Sequence, residues 1–227
     1  HTFNEEIDQQ PVNWENVELR VDEDCYTKKD LEDHGFQIGD FISIDPCYEY
    51  TKSGYLVSRH LDNKAGVASV LAAAEALTRQ NCKLPENCYL LFTISEEVGS
   101  GASAILHGDI AEMVSVDNST VAPGQNSIEK GVTVAMKDSS GPFDYHLTQK
   151  ILNICNEHKV FHSRDVFRYY RCDAASAIEA GNDIRTALVC FGCDASHGYE
   201  RTHEDSLMEM AKLLALYAKS DRSFPRD

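Results

Sequence analysis

Residues 93–101 read TISEEVGSG, and the rest of the chain is interpreted around this stretch. Two adjacent glutamates, Glu96 and Glu97, end an apolar run, CYLLFTI at 88–94, and precede two glycines. The run is short and rich in aromatic and β-branched residues, which predicts a buried strand. Open α/β sheets place their active sites at the ends of such strands. Adjacent glutamates at such a position can have two different roles: one can bind a metal ion, and the other can act as a general base on water.

Strand-like and helix-like segments alternate from residue 56 to the end of the chain. The clearest helix is KAGVASVLAAAEALTRQ at 64–80, which is rich in alanine and leucine with apolar residues at helical spacing. This alternation predicts an α/β sandwich around a largely parallel or mixed sheet. We predict further strands at 56–62, 112–117, 131–136, 165–171 and 184–192, further helices at 100–106, 144–158, 173–181 and 203–220, and loops at 118–127 and 194–202.

Residues 1–56 differ from the rest, because they are acidic and contain few helical patterns. One short helix is predicted over KKDLEDHG, 28–35, with Gly35 as its stop signal. The segment has too few apolar residues for a core of its own, so we expect part of a small β-rich module that packs on something else. Its predicted strands are NVELRV at 16–21, DFISIDP at 40–46 and GYLVS at 54–58.

The composition argues against several classes of partner. The 227 residues include 37 Asp and Glu against 21 Lys and Arg, a formal net charge of −16. Such a field repels nucleic acids and anionic membrane surfaces, and no apolar stretch is long enough to cross a bilayer. The eight cysteines are scattered. Cys190 and Cys193 form one CxxC without a second pair, which favours buried reduced thiols over a zinc site and predicts a cytoplasmic protein.

Acidic residues recur where predicted strands end, and histidines follow in the last loop. Because strand ends converge in this class of fold, residues far apart in sequence can share one site. Carboxylate oxygens with a histidine suit zinc, cobalt or manganese. Each acid alone also suits a helix cap or a surface charge, so the metal prediction depends on the joint placement of Asp62, Glu96, Glu97, Asp117, His197 and His203.

Four motifs in order resemble a known family. They are SRHLDNKAGVASVLAAAEAL at 58–77, TISEEVGSGAS at 93–103, SVDNS at 115–119 and GYERTH at 198–203. The set is similar to that of the glutamyl-aminopeptidase and TET-aminopeptidase family, metallopeptidase family forty-two, a di-metal co-catalytic group. The sequences of 115–127, 138–148 and 165–192 most resemble the branch associated with the N-acetylglutaminylglutamine amide osmoprotectant system.

The resemblance implies a fold and an assembly. It implies a three-layer α/β/α zinc-peptidase-like catalytic domain over 57–227, incomplete at its N-terminus. Residues 1–56 would then be part of the family's small β-rich domain, which serves dimerisation or substrate access. Family members often assemble into dimers or larger cages, so a homo-oligomer is expected.

The resemblance also implies roles for individual residues. Asp62 resembles the carboxylate that bridges two metals, and Glu96 resembles the general base. Glu97 and His203 resemble ligands of one metal, and Asp117 resembles a ligand of the other. Two further residues are expected to line the substrate site: Asp173, and His197, which also competes with His203 as the ligand.

One departure concerns the second metal. The family uses two divalent metals, with zinc expected and cobalt or manganese as alternatives, and its remaining histidine ligand would precede His1. We therefore expect the chain as given not to assemble the full two-metal site. His60 lies two residues before Asp62 and could reach the site, although a structural histidine is the better interpretation.

The resemblance implies a metallo-aminopeptidase that acts on small peptides through a metal-activated water, with Glu96 as the general base. One alternative is an amidohydrolase or deacylase of an N-acylated dipeptide amide that uses the same metals. Another is a non-catalytic truncated subunit that serves in assembly.

Overall fold

The structure is a computed structural model, and it describes residues 4–106 and 108–223. The chain divides into two compact units, one up to Ile44 and the other from Asp45 onward. The acidic residues and histidines singled out above all belong to the second unit.

The described part of the first unit contains two short helices, α1 Asn4–Asp8 and α2 Lys28–Asp33, and a 3₁₀ turn, Trp14–Asn16. The predicted helix at 28–35 is confirmed as α2, which begins with a capping box between Thr27 and Asp30. The predicted strands at 16–21 and 40–46 are wrong, because residues 4–46 include no strand. Strands need a neighbour to take up their backbone hydrogen bonds, and these segments have none among the described residues.

The main sheet of the second unit is mixed. It consists of β3 Glu112–Thr120, β4 Val132–Asp138, β5 Gly141–Pro142, β6 His162–Val166 and β7 Arg185–Cys193. The order is β3-β7-β4-β5, and β6 also pairs with β4. Strand β3 runs parallel to β7, whereas β4 is antiparallel to β7 and parallel to β6. The predicted mixed sheet is therefore confirmed.

Helices cover both faces of this sheet. Val132, Val134, Val189 and Phe191 point to one face, where they share a core with three helices: α3 Leu61–Arg79, α4 Tyr145–Glu157 and α6 Glu204–Ala218. Ala135, Leu188 and Cys190 alternate to the other face and pack with α5, Asp173–Glu179. This arrangement gives the expected three layers. None of the described helices is long and apolar enough to span a membrane.

A second, smaller antiparallel sheet leads into the acidic residues. It consists of β1 Glu49–Tyr50, β2 Tyr55–Ser58 and β8 Glu200–His203, in the order β1-β2-β8. The predicted strand at 54–58 is confirmed as β2, whereas β8 takes up the end of the predicted loop at 194–202 and also His203, the first residue of the predicted final helix. Ser58 pairs with Glu200. The chain just before Asp62 is thereby fixed beside the segment that follows β7.

Three further predictions from the sequence, two of them on either side of Glu96 and Glu97, are corrected. Residues 88–94 form no strand, and Ile94 is fully exposed, because they have no strand partner within the described residues. Residues 100–106 form turns rather than a helix. The strand predicted at 165–171 is β6 at His162–Val166, because only that segment pairs with β4.

Candidate active site

Two carboxylates and an imidazole meet beside the start of α3. Nε2 of His197 lies 3.3 Å from Oδ2 of Asp62 and 3.3 Å from Oε2 of Glu97. One ligand atom from each of the three residues lies within 4.8 Å of the others, which makes this group a candidate metal site. The side chain of Asp62 is 9 % exposed, whereas those of Glu97 and His197 are 56 % and 62 % exposed. Asp62 therefore forms the buried side of the site, and Glu97 and His197 lie on the side that is open to solvent.

Each member of this group sits on an irregular piece of backbone. Asp62 lies in the first turn of α3 with non-helical dihedral angles, φ −77° and ψ 107°. Glu96 and Glu97 begin a 3₁₀ turn, Glu96–Val98, which ends at Gly99 with φ 78°. His197 lies in the loop between β7 and β8 and has φ 63°. Positive φ at a non-glycine residue is uncommon and is kept only where surrounding contacts hold it.

Two more carboxylates lie close enough to repel this group. Burial, together with Asp173, Glu97 and Asp62, raises the pKa of Glu96 to about 7. Burial, together with Asp62 and Glu96, raises the pKa of Asp117, on β3, well above its usual value. The pKa of Asp62 is raised to about 6, chiefly by burial and then by Glu97. The structure thus brings Asp62, Glu96, Glu97 and Asp117 into one electrostatic cluster.

His203 lies outside this cluster, which differs from the expectation that it is a metal ligand. Its side chain is 4 % exposed, and its Nε2 lies 2.8 Å from the carbonyl oxygen of Ser53. Its Nδ1 accepts a hydrogen bond from the backbone N–H of Asp205 at 3.1 Å, which caps the start of α6. The ring also packs edge-on against Tyr55. In this structure both ring nitrogens of His203 are engaged, and the histidine beside Asp62 and Glu97 is His197.

The other candidates from the sequence also have clear positions. His60 is exposed, precedes α3 with φ 66°, and is not part of the three-residue group. Cys190 and Cys193 lie on β7 and are fully buried. Burial raises the pKa of the Cys190 thiol well above its usual value, as expected for an unreactive core residue.

Asp173, predicted to line the substrate site, faces the loop that carries the two glutamates. Its Oδ2 accepts a hydrogen bond from the hydroxyl of Thr93 at 2.6 Å, and its Oδ1 accepts one from the backbone N–H of Ala102 at 3.1 Å. These two donors lie on either side of Glu96 and Glu97 in the chain.

Glu200 is a buried carboxylate beneath the site that the sequence analysis missed. It is 1 % exposed. Its Oε2 accepts a hydrogen bond from the N–H of Asp62 at 3.2 Å, and its Oε1 accepts one from the N–H of His197 at 3.3 Å. It thus joins the backbones of two members of the group. The only signal in the sequence was its place in the GYERTH motif, because a contact from Glu200 to Asp62 depends on the pairing of β2 with β8.

The residues present fit the divalent metal that the resemblance implies. Two carboxylates and one imidazole are donors that suit zinc, cobalt or manganese. The pKa values of Asp62, Glu96 and Asp117 are raised first by burial and then by mutual repulsion of their negative charges. A bound cation would relieve this repulsion.

The same repulsion predicts how the stability of the metal-free protein depends on pH. An acid whose pKa is raised on folding binds its proton more tightly in the folded state, so the free energy of unfolding falls as pH rises toward the folded-state pKa. The pKa of Asp62 rises from 3.8 to about 6 and that of Glu96 from 4.5 to about 7, which places this fall between about pH 4 and pH 7. The measurement is Tm by calorimetry, where each kcal/mol corresponds to about 2–4 °C in a chain of this size.

The control for this experiment is Asp117→Asn, which removes one carboxylate of the cluster. Metal-free Asp117→Asn protein should lose less Tm between about pH 4 and pH 7 than the parent. Zinc added at pH 7.5 should raise the Tm of the parent, because a ligand that binds only the folded state stabilises it. An equal loss of Tm in the parent and the variant would contradict the cluster described above.

Comparison with known proteins places the chain among peptidases. The family model described as M42 glutamyl aminopeptidase matches residues 1–213. The Bacillus subtilis (strain 168) protein described as "Putative aminopeptidase YhfE" is 39 % identical over 208 residues, which are 92 % of this chain and 60 % of that protein.

Solved structures share the fold at low sequence identity. The aminopeptidase APDkam598 from the archaeon Desulfurococcus kamchatkensis matches with a TM-score of 0.77 at 19 % identity, over 87 % of this chain and 58 % of that one. The Pyrococcus horikoshii TET1 peptidase, described as able to assemble into a tetrahedron or a large octahedral shell, matches with a TM-score of 0.63 at 20 % identity, over 75 % of this chain and 52 % of that one. The chain thus spans between half and three fifths of the length of these proteins.

Proposed function

The chain belongs to the M42 glutamyl aminopeptidase family, and on that basis we propose that it acts as a metal-dependent aminopeptidase on small peptides. The observation that carries the proposal is the group formed by Asp62, Glu97 and His197, with the half-buried Glu96 next to it. A metal site beside an acid that can move a proton is one combination that hydrolyses unactivated amides.

Asp62, Glu97 and His197 would hold one divalent metal in this proposal. The family uses a second metal, and Asp62 and Asp117 would offer carboxylates to it. A metal bound here supplies Lewis-acid chemistry, which lowers the pKa of water and polarises the scissile carbonyl. Zinc is the expected ion, with cobalt or manganese as alternatives.

Glu96 is the proposed general base. Its carboxylate can accept a proton from the attacking water and, once protonated, donate that proton to the leaving nitrogen. In the metal-free protein, burial and the neighbouring carboxylates raise the pKa of Glu96 to about 7, and a metal held by those carboxylates would lower it.

We extend the proposal to assembly, since the TET1 peptidase of the same fold forms large shells. A homo-oligomer is expected for the protein to which this chain belongs. The cytoplasmic location and the link to the osmoprotectant branch stay predictions from the sequence.

The test is a comparison of paired substrates. The metal-loaded protein is incubated with short peptides that carry a free amino terminus and with the same peptides acetylated there. We expect release of the first residue from the free peptides only, loss of this activity with a chelator, and recovery with zinc, cobalt or manganese.

Each other outcome has a distinct meaning. Cleavage of the acetylated peptides alone would replace the aminopeptidase by the deacylase alternative. Cleavage that persists after the metal is removed would refute metal dependence. If a metal-loaded sample cleaves neither substrate, the non-catalytic alternative gains support and the proposed function fails.

A further inference from the structure

We propose that Asp173 is a positioning residue, whose carboxylate fastens both ends of the loop at 93–102 and so holds Glu96 and Glu97 facing Asp62. This inference rests on the proposed function for its catalytic meaning. It replaces the sequence prediction that Asp173 contacts substrate.

The first line of argument is where the hydrogen bonds of Asp173 go. Oδ2 accepts from the hydroxyl of Thr93 at 2.6 Å, three residues before Glu96. Oδ1 accepts from the N–H of Ala102 at 3.1 Å, beyond the end of the glycine-containing turn. The hydroxyl of Ser176, one turn farther along α5, also donates to Oδ1 at 3.4 Å. Both oxygens therefore accept hydrogen bonds from the protein itself.

The second line of argument is how closely the loop at 93–102 packs on the carboxylate of Asp173. Ala102 is fully buried, and a β-carbon placed on Gly101 would lie 2.2 Å from Oδ1 of Asp173. Only glycine at 101 allows the backbone to approach so closely. The sequence GSGAS, 99–103, thus provides the space that the contact needs.

The third line of argument is that few other contacts hold the loop. One of them is at the same end: the N–H of Ala102 also donates to the hydroxyl of Ser176, on α5, at 3.2 Å. The loop's one regular feature is the 3₁₀ turn Glu96–Val98. Ile94 and Val98 are exposed, at 101 % and 80 %, so these apolar side chains do not anchor it. Its internal hydrogen bonds, from the N–H of Gly99 to Glu96 and from the N–H of Ser100 to Ser95, fix the shape of the turn but not its place. The carboxylate of Asp173 links that turn to α5 and thereby to the main sheet.

The experiment compares Asp173→Asn with a matched pair at its partner, Thr93→Val and Thr93→Ser. Valine keeps the shape of threonine without the hydroxyl, whereas serine keeps the hydroxyl. Each metal-loaded protein is measured for kcat and KM on the free-amino peptides, and for hydrogen exchange by mass spectrometry in peptides covering 93–102 and α6.

We expect Asp173→Asn and Thr93→Val to lower kcat by about 10- to 100-fold with little change in KM, because a small misplacement of catalytic groups has effects of that size. Exchange should become faster at 93–102 and stay unchanged in α6. Thr93→Ser should behave like the parent. The double variant, Thr93→Val with Asp173→Asn, should be no slower than Asp173→Asn alone, since both changes break the same link.

Three results would overturn the proposal. One is a raised KM with normal kcat in Asp173→Asn, which would mean that Asp173 binds substrate. The second is unchanged exchange at 93–102. The third is faster exchange throughout the chain in both Asp173→Asn and Thr93→Val, which would mean a general role in stability. If the parent hydrolyses no peptide, the proposed function fails, whereas the exchange comparison still decides whether Asp173 positions the loop.

Discussion

Glu96→Gln is expected to lower kcat by about 100- to 10,000-fold, the range that a general base contributes. Glutamine has nearly the same shape as glutamate but cannot accept the proton of the attacking water. The metal content should stay that of the parent, because Glu96 is not one of the three residues whose ligand atoms converge. The measurements are steady-state kinetics on free-amino peptides and metal per chain by elemental mass spectrometry.

The matched control is Glu75→Gln on the outer face of α3. Glu75 is 60 % exposed and pairs only with Arg79 among the described residues, so this variant should keep the parent's kcat. Glu97→Gln serves as the second comparison, because it should lose metal as well as activity. Near-normal turnover in Glu96→Gln would mean that another group is the base.

Loss of a residue that only hydrogen bonds to a metal ligand typically weakens metal binding by about 10- to 100-fold. His197→Ala is expected to weaken metal binding by more than this. The reason is that Nε2 of His197 lies 3.3 Å from carboxylate oxygens of both Asp62 and Glu97. Because 62 % of this side chain is exposed, its removal should cost little stability. Metal affinity is measured by titration of the metal-free protein, and stability by Tm.

His203→Ala is expected to do the opposite: it should lower stability and leave metal affinity unchanged. It removes a buried ring whose nitrogens are hydrogen bonded to Ser53 and Asp205, so it should lower the free energy of unfolding by about 1–3 kcal/mol. Metal affinity should stay close to that of the parent. If His203→Ala loses the metal and His197→Ala keeps it, the ligand is the one that the family motif implied.

Much of the fold was predictable because long periodic segments carry their own signal. The helices expected at 64–80, 144–158 and 203–220 are α3, α4 and α6, and the strand expected at 184–192 is β7. An amphipathic helix satisfies its own backbone hydrogen bonds, so its sequence nearly suffices. By contrast, CYLLFTI at 88–94 has every property of a strand and is not one here, because a strand exists only through its partner.

The sequence by itself determined the family and the acidic residues that the site uses. Asp62, Glu96, Glu97 and Asp117 were chosen from their places after apolar runs, and the structure brings them within electrostatic reach of one another. Only the tertiary structure decided what surrounds them: His197 beside Asp62, Glu200 beneath both, and Asp173 behind the glutamate loop. The physical reason is that the ligands of one metal must lie within a few ångströms of one another, and these residues come from distant parts of the chain. Pairing of β2 with β8 and docking of the loop on α5 set those distances, and no spacing along the sequence records them.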